Sequence, residues 1–171
     1  MKGNKKKRSA YRVFKGSGAS DRVVLFFATW FGTGIIPFAP GTWGSLAALP
    51  FAAGAYSLGF FFSCLSLALM VMLSIPVSER ASKIMNREDP PSVVIDEVAG
   101  IFVALFLIPV SWTSIISGFV LFRVLDILKP FPAGLIDKKV KGGTGIVLDD
   151  VVAGIYANVC LRLILFAIVR L

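Results

Sequence analysis

The sequence predicts an all-α fold: a compact bundle of short helices, membrane-embedded through re-entrant or short transmembrane hairpins. Three observations lead there. Of the 171 residues, 56% are hydrophobic, and the mean hydropathy of +0.81 lies well above that of ordinary soluble domains. The apolar residues run in long blocks, 46–77, 98–122 and 149–169, without the alternation of half-buried strands. Glycine or proline interrupts the first two blocks, so each reads as two helical pieces joined inside the bilayer.

Residues 1–20 are polar, basic and glycine-bearing, and are expected to form a disordered basic tail ahead of a single helical domain over 21–171. Asp21 and Arg22 introduce a first helix at 21–31, and GTGIIPFAPGTWGS (32–45) reads as a loop ending in Ser45, an N-cap for the next helix. The block 46–77 is too long for one straight span and too short for two, so helices at 46–56 and 58–78 are expected, broken near Gly54 or Gly59. A polar surface loop, 78–92, follows.

The block 98–122 breaks at Pro109 beside Trp112, an interface-favouring residue, and continues through Arg123, Asp126 and Lys129 until Pro130 and Pro132 stop it. Residues 133–145 are short and basic. The last helix is expected at 149–169, long enough to cross once. Because basic loops favour the cytoplasm, hairpins would bring the tail and both polar loops to that side; single crossings would instead place Asp96 and Asp149 on opposite faces.

The net charge of +8 and pI of 9.8 would attract phosphate backbones. No surface of interleaved aromatic and basic residues accompanies it, so nucleic acid is not expected as a partner. Eight of the 18 basic residues lie in the first 22 positions, which suits an anionic membrane surface. The apolar run after the tail leads into a glycine-rich loop instead of a cleavage site, so no signal cleavage is expected. Cys64 and Cys160 have no spacing that suggests a disulfide or a metal site.

The chemistry lies in the acids. VVIDEVAG (93–100) carries Asp96 and Glu97, IVLDDVVAG (146–154) carries Asp149 and Asp150, and Asp126 makes a fifth. Carboxylates at the edge of apolar segments are costly unless paired or bound to a metal. Oxygen ligands at this density suit Mg²⁺, and the absence of histidine excludes an imidazole zinc site and a histidine base. The competing reading is helix capping, which needs one acid where the chain has a doublet twice. Aligned on their Ala-Gly ends, the two stretches pair Asp96 with Asp150, each four residues before a glycine suited to close helix packing. They read as two non-equivalent walls of one site.

Arg123 and Asp126 share a helix face with Lys129 a turn further on. This is either an ion pair at a helix end or a phosphate-binding stripe, with Arg123 as a fork and Lys129 as a point charge. Glycines in GTG (32–34), GTWGS (41–45) and KGGTG (141–145) mark ordinary turns or let backbone N–H groups approach a phosphate; no P-loop spacing occurs. Thr33, Thr42 and Ser45, in these turns, join Arg123 and Lys129 as candidate substrate-binding residues.

Four ordered motifs, FGTGIIPFAPGTWGS (31–45), IDEVAG (95–100), FRVLDILKPFP (122–132) and GGTGIVLDDVVAG (142–154), make the chain resemble the phosphatidylglycerophosphatase A family over about residues 22–169. The resemblance implies a bacterial inner-membrane enzyme with its active site facing the cytoplasm. It would hydrolyse the terminal phosphomonoester of phosphatidylglycerophosphate, an anionic phospholipid, with Mg²⁺ as cofactor.

Asp96, Asp149 and Asp150 are then the expected metal ligands, with Glu97 and Asp126 as further ligand or water-orienting base. Attack by water and attack by an aspartate both remain open. Lys141 stands where relatives often have a histidine. The alternatives from other classes are a small cation transporter or channel subunit using intramembrane carboxylates, and a structural protein bound to anionic lipid.

Overall fold

The computed structural model describes residues 10–169, and among these every regular element is helical. The order is α1 (Ala10–Gly16), α2 (Ala19–Ala28), a 3₁₀ turn (Thr33–Ile35), α3 (Pro40–Ser57), α4 (Phe60–Met85), α5 (Ile95–Leu105), α6 (Trp112–Leu128), α7 (Ala133–Lys139) and α8 (Gly142–Val169). Of the tail expected over 1–20, residues 1–9 lie outside the described residues. Of the remainder, 10–16 and 19–20 are helical, with Val13 and Phe14 packed against the core.

Several boundaries move, each for a local reason. Helix α2 ends at Ala28, where Thr29 Oγ1 returns to the Leu25 carbonyl at 2.8 Å and Trp30, Phe31 and Gly32 follow with positive φ. Helix α3 begins at Pro40, not after Ser45, because proline at the first helical position is preset for the turn and sacrifices no needed donor. Ser45 is therefore inside the helix, buried, and donates to the Gly41 carbonyl at 2.8 Å instead of capping. The break in the first apolar block falls at Gly59, whose φ of 102° few other residues adopt; Gly54 is plain helix.

Helix α4 runs on to Met85 through residues expected as loop, since Ser78, Ala81 and Ser82 pack inward and Glu79–Lys83 form a 2.8 Å pair along it. Helix α8 starts at Gly142, seven residues early. Gly143 fits against the Ile75 carbonyl, and its N–H donates to Glu79 at 2.6 Å, so α4 supplies the N-terminal partner for α8. These glycines thus serve a helix–helix contact.

Beyond its acidic first turn helix α5 is apolar and central, with Val98, Ile101 and Ala104 fully buried. Helix α8 packs along it, and α3, α4 and α6 complete the surround. Phe122 from α6 fills the space that Gly100 leaves. The outer faces stay oily: Phe61 and Met72 on α4, Ile127 and Leu128 on α6 and Leu163 on α8 are all well exposed. An apolar surface this extensive points to lipid, not water. In lipid, moving a side chain inward gains little transfer energy, so close packing of small residues must hold the helices together.

Two helices, α4 and α8, are long and apolar enough to cross a membrane. Helix α5, at 11 residues, extends only about 16 Å against a hydrocarbon core of about 30 Å. The turns at 58–59 and 106–111 lie near one another, with Tyr56 stacked edge-on to Phe106 at 6.0 Å. The polar connections 86–94 and 129–141 meet at the other end, joined by Lys141–Glu88 at 3.3 Å. The chain is therefore folded into hairpins, and Asp96 and Asp149 share one end. Both cysteines are free thiols.

Candidate active site

At that polar end lies a cavity of about 360 Å³, walled by Asp96, Glu97, Asp126, Lys129, Asp149 and Asp150. Glu88 and Asp89 reach it from the α4–α5 connection, and Lys138 and Lys141 from the basic stretch before α8. Its size suits a small ligand.

Asp96 and Glu97 occupy the first turn of α5, whose N-cap, Val94, carries no side-chain cap. Asp149 and Asp150 lie two turns inside α8, not at its start. Capping therefore does not explain the second doublet. One oxygen each from Asp96, Glu97 and Asp150 fall within 4.8 Å of one another. A small side-chain rotation closes that spacing to the about 3–4 Å separating oxygens around one hard cation.

Asp96 and Asp150 are 8% and 4% exposed, too little for water to screen three like charges. Asp96 Oδ1 and Glu97 Oε2 are buried with no hydrogen-bond partner. Burial, reinforced by Glu97, pushes the Asp96 carboxyl well above the usual carboxylate range. Burial likewise pushes Glu97 up to about 7, against the contrary pull of its hydrogen bond with Asp96. Three largely buried carboxyl groups this close, two of them with an unpartnered oxygen, fit a divalent cation, and their all-oxygen chemistry fits a hard one.

Asp149 lines the same cavity but stands outside this trio. Its Oδ2 accepts from Lys129 Nζ at 2.5 Å, while its Oδ1 is buried without a partner. The structure thus joins three of the four expected metal ligands and gives the fourth to a lysine, because adjacent helical residues project about 100° apart. Lys129 ends α6 with φ of 44°, which swings its ammonium off the Arg123–Asp126 stripe and toward Asp149 and Asp137, the latter at 2.8 Å. Burial works against that charge, but the hydrogen bonds it donates to Asp137 and Asp149 outweigh it and hold the ammonium above its ordinary range.

Arg123 stands behind the acids. Its Nη1 lies 2.8 Å from Asp126, 3.9 Å from Glu97 and 3.4 Å from Ser45 Oγ. Gly41 comes so close to Glu97 that a Cβ there would overlap the carboxylate. Of the expected substrate-binding residues, Lys129 lines the cavity, whereas Arg123, Thr33, Thr42 and Ser45 do not. Thr33 Oγ1 donates to Trp30 and Thr29 carbonyls, serving the turn after α2. Thr42 sits half-buried in the first turn of α3. Ser45, inside α3, accepts from Arg123 and so acts behind the cavity wall.

Asp89 and Asp137 also line the cavity and had no signal of their own. Asp137 sits in a lysine-rich stretch that reads as a solvated face, and Asp89 precedes two prolines in a surface loop.

Residues 26–165 match the sequence profile of the family described as phosphatidylglycerophosphatase A. The chain is 42% identical over 136 residues to phosphatidylglycerophosphatase A of Haemophilus influenzae, covering 78% of this chain and 83% of that protein. It is 41% identical over 133 residues to phosphatidylglycerophosphatase A of Escherichia coli strain K12, covering 75% of each. A relative from Bacteroides thetaiotaomicron, 36% identical over 140 residues and covering 78% of this chain and 87% of its own, is provisionally named a phosphatidylinositol-3-phosphatase. No solved structure matches. Since the profile spans most of the chain and includes every wall of the cavity, the chain belongs to the phosphatidylglycerophosphatase A family.

Proposed function

We propose that the chain dephosphorylates phosphatidylglycerophosphate to phosphatidylglycerol and inorganic phosphate at the cytoplasmic face of the inner membrane, with Mg²⁺ as cofactor. The observation that carries this reading is the convergence of Asp96, Glu97 and Asp150 in a cavity faced by Lys129. Mg²⁺ bound there would neutralise phosphoryl oxygens as charge spreads over them. Asp96, Glu97 and Asp150 would hold the ion. Lys129 offers its ammonium to the phosphoryl group, while Asp137 and Asp149 fix its position.

In the reaction the ester bond between phosphorus and the glycerol oxygen breaks, a new bond forms to the oxygen supplied by water, and the leaving oxygen gains a proton. Asp149 Oδ1, buried and unpartnered in the cavity wall, is placed to accept the proton that water gives up. Arg123, anchored by Asp126 and Ser45, keeps Glu97 aimed forward. The basic rim of Lys138 and Lys141 suits an anionic lipid surface.

Phosphate release from phosphatidylglycerophosphate by purified protein tests this, with Mg²⁺, with chelator, and with Asp150→Asn. Phosphatidylinositol 3-phosphate serves as the competing substrate. Loss of release under both changes is expected, with preference for phosphatidylglycerophosphate. Release that ignores chelator and substitution alike would overturn the metal assignment, and preference for the inositol lipid would overturn the substrate.

A further inference from the structure

Arg162 is the only lysine or arginine between Lys141 and the end of α8, and it lies about 18 Å along that helix from Asp150. A cation at that depth of an apolar segment demands a reason. The reason is the end of α5. A helix leaves its last carbonyls without intrahelical partners, and irregular backbone at membrane depth survives only where protein satisfies it.

Here each carbonyl from Phe102 to Leu107 has a partner. Phe102 accepts from Tyr56 Oη at 2.5 Å, and Leu105 from the Ile108 N–H at 3.1 Å. Asn158 Nδ2 reaches Val103, Ala104 and Phe106 at 3.2, 2.9 and 2.9 Å. Arg162 Nη2 reaches Phe106 at 3.0 Å and Leu107 at 3.3 Å, and its Nε donates to Asn158 Oδ1 at 2.8 Å. The guanidinium also places positive charge at the negative end of the α5 dipole.

The clamp shares its register with the acids. Asn158 meets Ala104 across a 54-residue offset, the same offset that separates Gly154 from Gly100 and Asp150 from Asp96. Helices α5 and α8 therefore run parallel and in step from the carboxylates to the clamp. We infer that Asn158 and Arg162 are positioning residues: by capping α5 where it stops inside the bilayer, they fix its axial position against α8 and so hold Asp96 and Glu97 level with Asp150. This rests on the proposed role of those carboxylates.

The test compares purified Arg162→Leu, Asn158→Leu and Arg162→Lys with the unsubstituted chain in lipid nanodiscs, with Asp96→Asn alongside. Measured are kcat and KM for phosphatidylglycerophosphate, and Mn²⁺ affinity by electron paramagnetic resonance. Both leucine variants are expected to lose tenfold or more in kcat with KM within twofold, and tenfold or more in Mn²⁺ affinity. Arg162→Lys, which keeps a cation but not the fork, is expected to lose three- to fivefold in each. Folded variants that melt earlier yet keep kcat and Mn²⁺ affinity within twofold would reduce the clamp to a structural role and overturn the inference. Should the leucine variants not fold, Arg162→Lys decides by the same limits. An active Asp96→Asn would sink the site reading itself; an inactive one beside unimpaired clamp variants sinks the inference alone.

Discussion

Gly100 and Gly154 meet across the α5–α8 interface so closely that a Cβ built on Gly154 would stand 2.5 Å from the Gly100 carbonyl oxygen. Backbone has nowhere to retreat, so a larger residue must push the helices apart, and overpacking of this kind costs about 1–3 kcal/mol. Because Asp96 and Asp150 sit one turn above the contact on the same two helices, the displacement reaches them. Gly154→Val is expected to lower phosphate release tenfold or more. A variant that melts earlier but keeps its specific activity would show that the carboxylates do not depend on this contact.

Removing one buried acid should separate stability from activity. Asp150→Asn deletes a charge that repels Asp96 and Glu97 and retains the side-chain shape. Metal-free Asp150→Asn is expected to gain about 1 kcal/mol, raising Tm by about 2–4 °C. Phosphate release should fall below a hundredth of the unsubstituted rate, and Mg²⁺ should no longer raise Tm. Calorimetry with and without chelator checks both.

Glu97 sets a pH dependence whose sign is opposite to that of most carboxylates. Its folded-state pKa of about 7 lies above its ordinary 4.5, so its contribution to the metal-free protein is fully present below about 4.5 and is lost as pH rises through 7. The raised Asp96 carboxyl acts in the same direction. A divalent cation binds the deprotonated group and reverses the trend. Stabilisation by Mg²⁺ is therefore expected at pH 8 and absent at pH 5; equal shifts in melting temperature at both would contradict the assignment.

The Lys129–Asp149 pair offers a double-mutant cycle. Lys129→Met leaves the buried Asp149 without its cation, a loss of about 1–3 kcal/mol. Adding Asp149→Asn should restore most of that stability. Activity should not return, since the double variant lacks the proton acceptor as well as a charge-stabilising donor, whose removal alone costs about 100-fold in kcat. Thermal unfolding and initial rates on the four proteins give the coupling directly, and an unimpaired rate in the single Lys129→Met variant would assign Lys129 to structure alone.

Periodicity and composition made the helices legible: Gly59, Pro109 and Pro130 interrupt the chain close to where the structure breaks it, since backbone conformation there is a local matter. The starts of α3 and α8 were not legible, because Pro40 initiates a helix inside an apparent loop and Gly143 gains its place from Ile75 and Glu79 on another helix. Asp137 and Asp89 gave no signal, as a carboxylate in a polar loop looks the same whether it faces solvent or a cavity.

Residues read in a row suffice for an all-helical chain fit for lipid, for two acidic doublets worth pursuing and for the family to which the chain belongs, because hydropathy, helix breakers and ordered motifs are local properties. How the acids divide is a matter of packing in three dimensions. Asp150 turns to Asp96 and Glu97 while Asp149 turns to Lys129, and the end of α5 rests on Asn158 and Arg162. Those choices depend on the rotation and axial register of one helix against another, which close contact between Gly100 and Gly154 sets in space.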